Sequence, residues 1–344
     1  MSTPATAEST EGVSRHPSYA GMRIGADVPM DLDLHAQSDF VAWAEQQGFD
    51  DAWVAEISDP DAFVALSAAA ARTERIRLGT AIVQLGTRTV PLLAASAASL
   101  TQYSGGRFVL GVGASTRAIL EGWHGLSYDR PRERMSEALP LLRSILSGER
   151  TDFQGRQIRS KGFRLRHPLA EPPRLVLAAM NERMLETAGE LADGVFLNCV
   201  PVQALPRVLD AVNRGVERSG RQDTVELLIA VPCEVTADVE RARTRWAEGF
   251  AFYMTAPPYR SALAWYGLEE EVALAEKAWE TRDFQKVRQS ISARLIDELT
   301  VFGTAEECRE RIAAYGAAGV TTVSITANSE DPRDTLEALA PYTV

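Results

Sequence analysis

The sequence predicts an α/β protein with the architecture of a (β/α)8 TIM barrel, on three observations. Short apolar runs alternate with amphipathic helical stretches along most of the chain. The runs are apolar nearly throughout, as parallel strands covered on both faces must be, instead of apolar at every second residue. The alternation repeats eight times, which fits a closed barrel better than an open doubly wound sheet.

Each unit can be read in order. A strand over 22–28 (MRIGADV) precedes a helix over 32–47. A second over 51–56 (DAWVAE) precedes a helix over 59–72, with Asp59 as its N-cap and Pro60 in the first helical position. Strands over 75–83 and 107–113 lead to helices over 90–103 and 131–147. In the second half, strands over 174–179 and 194–198 lead to helices over 181–191 and 203–219. The strand over 225–235 leads to a long helical stretch from Asp238, and the strand over 320–326 to a last helix over 331–340. No GxGxxG follows the first strand, so a dinucleotide-binding sheet loses its main signature.

Two segments exceed the repeat. Residues 150–172 read as a small hairpin between units four and five. Residues 238–303 are too long for one barrel helix and read as a helical insertion between the seventh and eighth strands. The insertion holds Trp246, Phe250, Phe252, Tyr253, Tyr259, Trp265, Tyr266 and Trp279. These aromatics suit internal packing and equally a lid over the barrel mouth. Residues 1–20 are polar, lack the apolar centre of a secretion signal and read as a flexible tail; 21–344 read as one domain.

Composition narrows the function. The 344 residues are 45% hydrophobic and 24% charged, the profile of an ordinary globular protein. A net charge of −11 repels nucleic acid and anionic membranes, so neither is an expected partner. No apolar run reaches the length of a membrane helix. Cys199, Cys233 and Cys308 are few, odd in number and far apart, which argues against a disulfide framework and for a reducing cytoplasm. There is no HxH, HExxH or CxxC metal spacing, no G-x-S-x-G elbow and no P-loop.

In such a barrel the reactive site lies at the C-terminal ends of the strands. Small residues dominate there: GVGAS (111–115) and LAAMN (177–181) let backbone approach a flat ligand, or simply relieve crowding between strands. The helix starting near Asn181 presents its positive end to a phosphate. Glu56 closes the second strand, as a proton-transfer group or as a cap and ion-pair partner for the next helix. Of the histidines, His16, His35 and His167 lie elsewhere, and only His124 follows a strand at the correct end. A mouth lined with small residues and lacking a nucleophile–base pair needs a cofactor for its reactivity.

Four segments carry a family resemblance: 72–115 (RTERIRLGTAIVQLGTRTVPLLAASAASLTQYSGGRFVLGVGAS), 133–155 (ERMSEALPLLRSILSGERTDFQG), 175–198 (LVLAAMNERMLETAGELADGVFLN) and 297–323 (DELTVFGTAEECRERIAAYGAAGVTTV). In this order they resemble the luciferase-like monooxygenase superfamily, and within it the coenzyme F420-dependent branch that includes methylenetetrahydromethanopterin reductase. The resemblance runs from Met22 to the C-terminus. It implies a deazaflavin in the barrel mouth and hydride transfer between coenzyme F420 and a small organic substrate. The alternatives are an FMN-dependent monooxygenase using oxygen and a non-catalytic flavin-binding barrel.

By the same resemblance, a bulge in the third strand backs the ring through a non-proline cis peptide, which falls at Ala81–Ile82 beside Thr80. Gly111, Val112, Gly113 and Ala114 border the ring or its side chain. Ala178, Ala179, Met180 and Asn181 border the tail and its phosphate, and Asn198 lines the same wall. Glu56 and His124 are the acid candidates. Two departures stand out. Met180-Asn181-Glu182 replaces Gly-Pro-Lys, leaving Arg183 and the helix end to hold a phosphate, and Glu56-Ile57-Ser58 replaces a Glu-His pair. Relatives pair through barrel helices, so a homodimer is expected.

Overall fold

Eight parallel strands close on themselves in the computed structural model, which describes residues 14–58 and 60–343. They are β1 (Arg23–Asp27), β2 (Asp51–Val54), β3 (Arg77–Thr80), β4 (Phe108–Gly113), β5 (Arg174–Ala178), β6 (Gly194–Asn198), β7 (Glu226–Val235) and β8 (Thr322–Ala327). Each pairs with its neighbours in sequence, and β8 returns to β1 with Ser324 opposite Gly25. The first six strands are followed by α1 (Leu34–Gln46), α2 (Ala62–Ala70), α3 (Val90–Tyr103), α4 (Pro131–Leu146), α5 (Glu182–Leu191) and α6 (Leu205–Ser219).

The insertion after β7 consists of α7 (Val239–Met254), α8 (Pro257–Trp265), α9 (Glu269–Trp279), α10 (Phe284–Ser290) and α11 (Ala293–Leu299). Pro257, Pro258 and Gly267 break what the sequence pattern presents as one long helical stretch. The chain then returns through a short strand, Val301–Gly303, laid on the end of β7. The outer barrel helices α12 (Ala305–Ala317) and α13 (Pro332–Ala338) complete the ring. The hairpin between α4 and β5 pairs Asp152–Gln154 with Arg159–Lys161.

Apolar strands follow from burial on two sides. One core lies between strands and helices, and a second fills the barrel with Trp53, Val109, Val176, Phe196 and Leu228. Polar side chains seal the N-terminal end. The fully buried Asp51 carboxylate takes Arg23 Nη2 at 2.6 Å and Arg77 Nε at 2.7 Å. Arg77 also reaches Glu226 at 2.7 Å, Thr322 donates to Glu226 at 2.9 Å, and the Arg77 guanidinium lies over the Trp53 ring. Burial pushes the Glu226 carboxyl up, but the bonds and charge of Arg77 outweigh it and hold that carboxyl below its usual range.

Two expectations need correction. Residues 14–20 are not a flexible tail: Ser14–Arg15 pairs antiparallel with Tyr342–Thr343, Arg15 binds Asp50 at 2.6 Å, and Tyr19 is completely buried. One aromatic and one ion pair suffice to anchor a run that composition alone presents as loose. Residues 1–13 lie outside the described residues. The second helix starts at Ala62, with the Asp61 side chain accepting from Phe63 and Val64 N–H, so Pro60 precedes the helix. The expected cap, Asp59, lies outside the described residues.

Candidate active site at the barrel mouth

Side chains two residues apart on a strand share a face, so the inner core residues fix what lies one layer nearer the mouth. Two beyond Val176 is Ala178, two beyond Leu228 is Ala230, and two beyond Phe196 is Asn198. Ala178 and Ala230, with Ala81 and Ile82, are half-buried and pack onto the inner core from above. The barrel is therefore filled below and ends at the mouth in a shallow floor of short side chains.

The β3 corner has its own geometry. The Ala81–Ile82 peptide is cis, at the place the family resemblance indicates. Thr80, fully buried, donates its hydroxyl to Gly111 O at 2.7 Å and accepts from Gly111 N at 2.8 Å. A Cβ on Gly111 would stand 2.0 Å from Thr80 O, and one on Gly113 would stand 2.6 Å from Ile82 Cδ1. These glycines make room for the neighbouring strand and its bulge. Of the two sequence readings, relief of crowding therefore prevails over bare backbone offered to a ligand. Val112 is buried in the outer core. Ala81 and Ile82, both half-buried, are what this corner presents to the mouth; Gly111 and Gly113 lie against Ile82, while Val112 and Ala114 pack on the outer core.

At the β5 corner, Ala179 is buried in the outer core and does not reach the mouth. Met180 O accepts from Tyr266 Oη at 2.6 Å. Asn181 caps α5 by accepting from Met184 N at 3.1 Å. Glu182, the departure from the family pattern, is paired with Arg214 at 2.6 Å, and Arg183 is exposed.

Glu56 is corrected as an acid. Its carboxylate meets Arg88 Nη1 at 2.5 Å and Nη2 at 2.8 Å, and accepts from Ala62 N at 3.1 Å. Both oxygens are thus occupied in anchoring α2, the second of its two sequence readings. His124 is exposed in the loop after Ala118–Trp123, and among the described residues no contact joins it to Glu56. The structure does not gather these two residues into one site.

The acid that sequence reasoning passed over is Asp27. It sits two residues beyond the inward-facing Gly25, at the end of β1, and accepts hydrogen bonds from Ser324 and Thr326 on β8. Burial among protein atoms pushes its carboxyl above the usual range, against the opposing effect of the two hydroxyls. A charged residue ending an otherwise apolar strand was the available signal. Near it, Tyr253 and Tyr259 of the insertion stack with ring centres 4.4 Å apart. Burial pushes the Tyr253 hydroxyl up to about 12, while the Asn198 amide favours the ionised form of both tyrosines. The insertion packs on its own aromatics and sets Tyr266 against Met180 and Tyr253 and Tyr259 against Asn198.

A model of the luciferase-like monooxygenase family matches residues 14–322. The chain belongs to this family. Among relatives of this luciferase-like chain, a 5,10-methylenetetrahydromethanopterin reductase of Archaeoglobus fulgidus is 26% identical over 309 residues, covering 88% of this chain and 92% of the relative. A putative coenzyme F420-dependent oxidoreductase of Mycobacterium tuberculosis is 28% identical, covering 93% and 99%. Among solved structures, the coenzyme F420-dependent tetrahydromethanopterin reductase of Methanopyrus kandleri superposes with a TM-score of 0.80 at 21% identity, covering 93% of this chain and 97% of that one. The luciferase-like chain is an enzyme, an oxidoreductase built on a (β/α)8 barrel.

Proposed function

We propose that the chain is an F420-dependent oxidoreductase that transfers hydride between the deazaflavin and a small organic substrate. The observation that carries this reading is the floor of Ala81, Ala178 and Ala230 with Ile82 beside them, three alanines and one aliphatic side chain over a filled barrel, which fits a flat ring system. The relatives named for coenzyme F420 support the choice of cofactor. Asn181 and Arg183, exposed at the start of α5, fit a phosphate-bearing tail, and Arg214 neutralises the carboxylate of Glu182 beside them.

When bound, the deazaflavin supplies or accepts the hydride as an obligate two-electron carrier. The chain's residues do the rest. Ala81, Ile82 and Ala178 seat the ring. Asp27, biased toward its neutral form and oriented by Ser324 and Thr326, holds a proton for the substrate. Tyr253, Tyr259 and Asn198 wall the substrate side and exclude water.

An FMN-dependent monooxygenase is the second reading, favoured by one observation: a carboxylate, Glu182, stands where the family's lysine would meet the longer acidic tail of F420. Titrating the purified protein with each cofactor, followed by absorbance and fluorescence, tests the choice. Tighter binding of FMN than of F420 overturns the first reading. A homodimer is part of this proposal. It is supported by the uncharged outward faces of α2 and α3, where Val64 and Leu92 are 52% and 55% exposed. A monomer mass by light scattering at micromolar concentration refutes it. The free thiols Cys199, Cys233 and Cys308 support a cytoplasmic setting.

A further inference from the structure

A cleft on the outer side of the insertion is unaccounted for by chemistry at the mouth. It lies between α7 and α10, has a volume of about 400 Å³, and continues past Thr244 and Arg288 into a second hollow of about 530 Å³ beside the loop after β8. Volumes in this range hold small organic ligands. The inner side of α7 is spent on the core through Ala242, Trp246 and Phe250, so the cleft belongs to its outer side.

Its charges are nearly all neutralised from within. Arg241 pairs with Glu330, Arg243 with Asp297 and Glu240, and Arg245 with Glu234 and the Asn328 carbonyl. Arg288, which borders both hollows, has no ion pair or hydrogen bond through its side chain among the described residues. A half-buried guanidinium facing a cavity offers a planar fork of donors. On the α7–α10 side Ala247, Ile291 and Ile296 form an apolar strip among Thr244, Gln285 and Gln289. On the other side Glu248 and Glu330 stand close.

We propose that this cleft is a second small-molecule site that binds an amphipathic monocarboxylate, with its carboxylate on Arg288 and its apolar part against Ala247, Ile291 and Ile296. Arg288 and Glu248 are the two charges of this lining without an ion pair among the described residues, and the planar fork of Arg288 matches a carboxylate in two parallel hydrogen bonds. A phosphate dianion brings twice the charge of a carboxylate against the unpaired Glu248 in the same lining.

Calorimetry or ligand-observed NMR on the full chain tests this with octanoate as probe, and with octan-1-ol and inorganic phosphate as controls. Saturable octanoate binding is expected, weakened at least tenfold in Arg288→Gln and in Ala247→Glu, with octan-1-ol and phosphate binding far more weakly. Arg288 makes no side-chain hydrogen bond or ion pair that its loss would break among the described residues, and circular dichroism verifies the fold of both variants. Three results would overturn the proposal: no saturation at millimolar octanoate, unchanged affinity in both variants, or phosphate binding as tightly as octanoate. Because cofactor is absent from the assay, failure here leaves the reading of the mouth untouched.

Discussion

Substituting Gly111 by alanine tests whether β3 and β4 are as close as described. The new Cβ would lie 2.0 Å from Thr80 O and 3.3 Å from Ile82 Cγ2. A carbon and a carbonyl oxygen approach to about 3.3 Å at closest in sheets, so the strands must part by roughly an ångström. That separation breaks the paired bonds between the Thr80 hydroxyl and Gly111, at 2.7 and 2.8 Å, in a site without solvent. Overpacking costs about 1–3 kcal/mol. Leaving one buried polar group unsatisfied adds about 1–3 kcal/mol. A loss on the order of 2–6 kcal/mol is therefore expected, a large fraction of a typical stability of about 5–15 kcal/mol. Urea unfolding followed by circular dichroism measures it. Gly249→Ala is the control: its added Cβ meets nothing within 4 Å, and alanine in a helix gains about 0.5–1 kcal/mol. If Gly111→Ala loses less than about 1 kcal/mol, the close approach at this corner is refuted.

Three further outcomes follow from the same structure. Asp27→Asn should abolish most turnover while leaving cofactor affinity in place, read by comparing kcat with a fluorescence Kd. The raised carboxyl means the native state keeps a proton the unfolded chain releases, so wild-type stability falls as pH rises from the usual carboxylate range through the native value. Unfolding midpoints of Asp27→Asn should lack that decline and exceed wild type at neutral pH; a variant less stable there would contradict the burial argument. Arg77→Met removes a partner from buried Asp51 and from Glu226 at once, and should cost about 3–5 kcal/mol by denaturation while cofactor affinity stays unchanged. Burial pushes the Cys199 thiol up to about 12 and that of Cys308 up to about 11, so the folded protein should resist a disulfide thiol reagent at neutral pH until denaturant is added.

The barrel was legible in the sequence because burial on two faces leaves an unmistakable apolar run, and eight such runs alternating with helices admit few architectures. The position of the cis peptide was legible only through family resemblance, since nothing in Thr80-Ala81-Ile82 as side chains announces it. The site was half legible. Ala81, Ile82, Ala178 and Asn198 fall where strand ends place them. Glu56 misled because its partner, Arg88, is 32 residues away, and no local pattern shows that a distant guanidinium will hold both oxygens. Asp27 was passed over because its meaning depends on Ser324 and Thr326 at the other end of the chain, which become neighbours only when β8 closes against β1. Gly111 and Gly113 carried two readings in the sequence, ligand approach and relief of crowding, and their contacts with Thr80 and Ile82 favour the second.

The insertion leaves and re-enters the barrel at almost one point. Thr236 N binds Gly303 O at 2.8 Å, and the returning Val301–Gly303 lies in register on Cys233–Val235, the last residues of the strand it departed from. A segment whose two stems are already clasped together behaves as a cassette. A transplant across that clasp has to keep only the apolar contacts of Trp246, Phe250 and Leu263 with the shared core, and leaves the charged stopper at the far end of the barrel out of reach. Since the same segment supplies Tyr253 and Tyr259, the wall proposed to face the substrate can vary with the segment while the strands that form the barrel stay as they are.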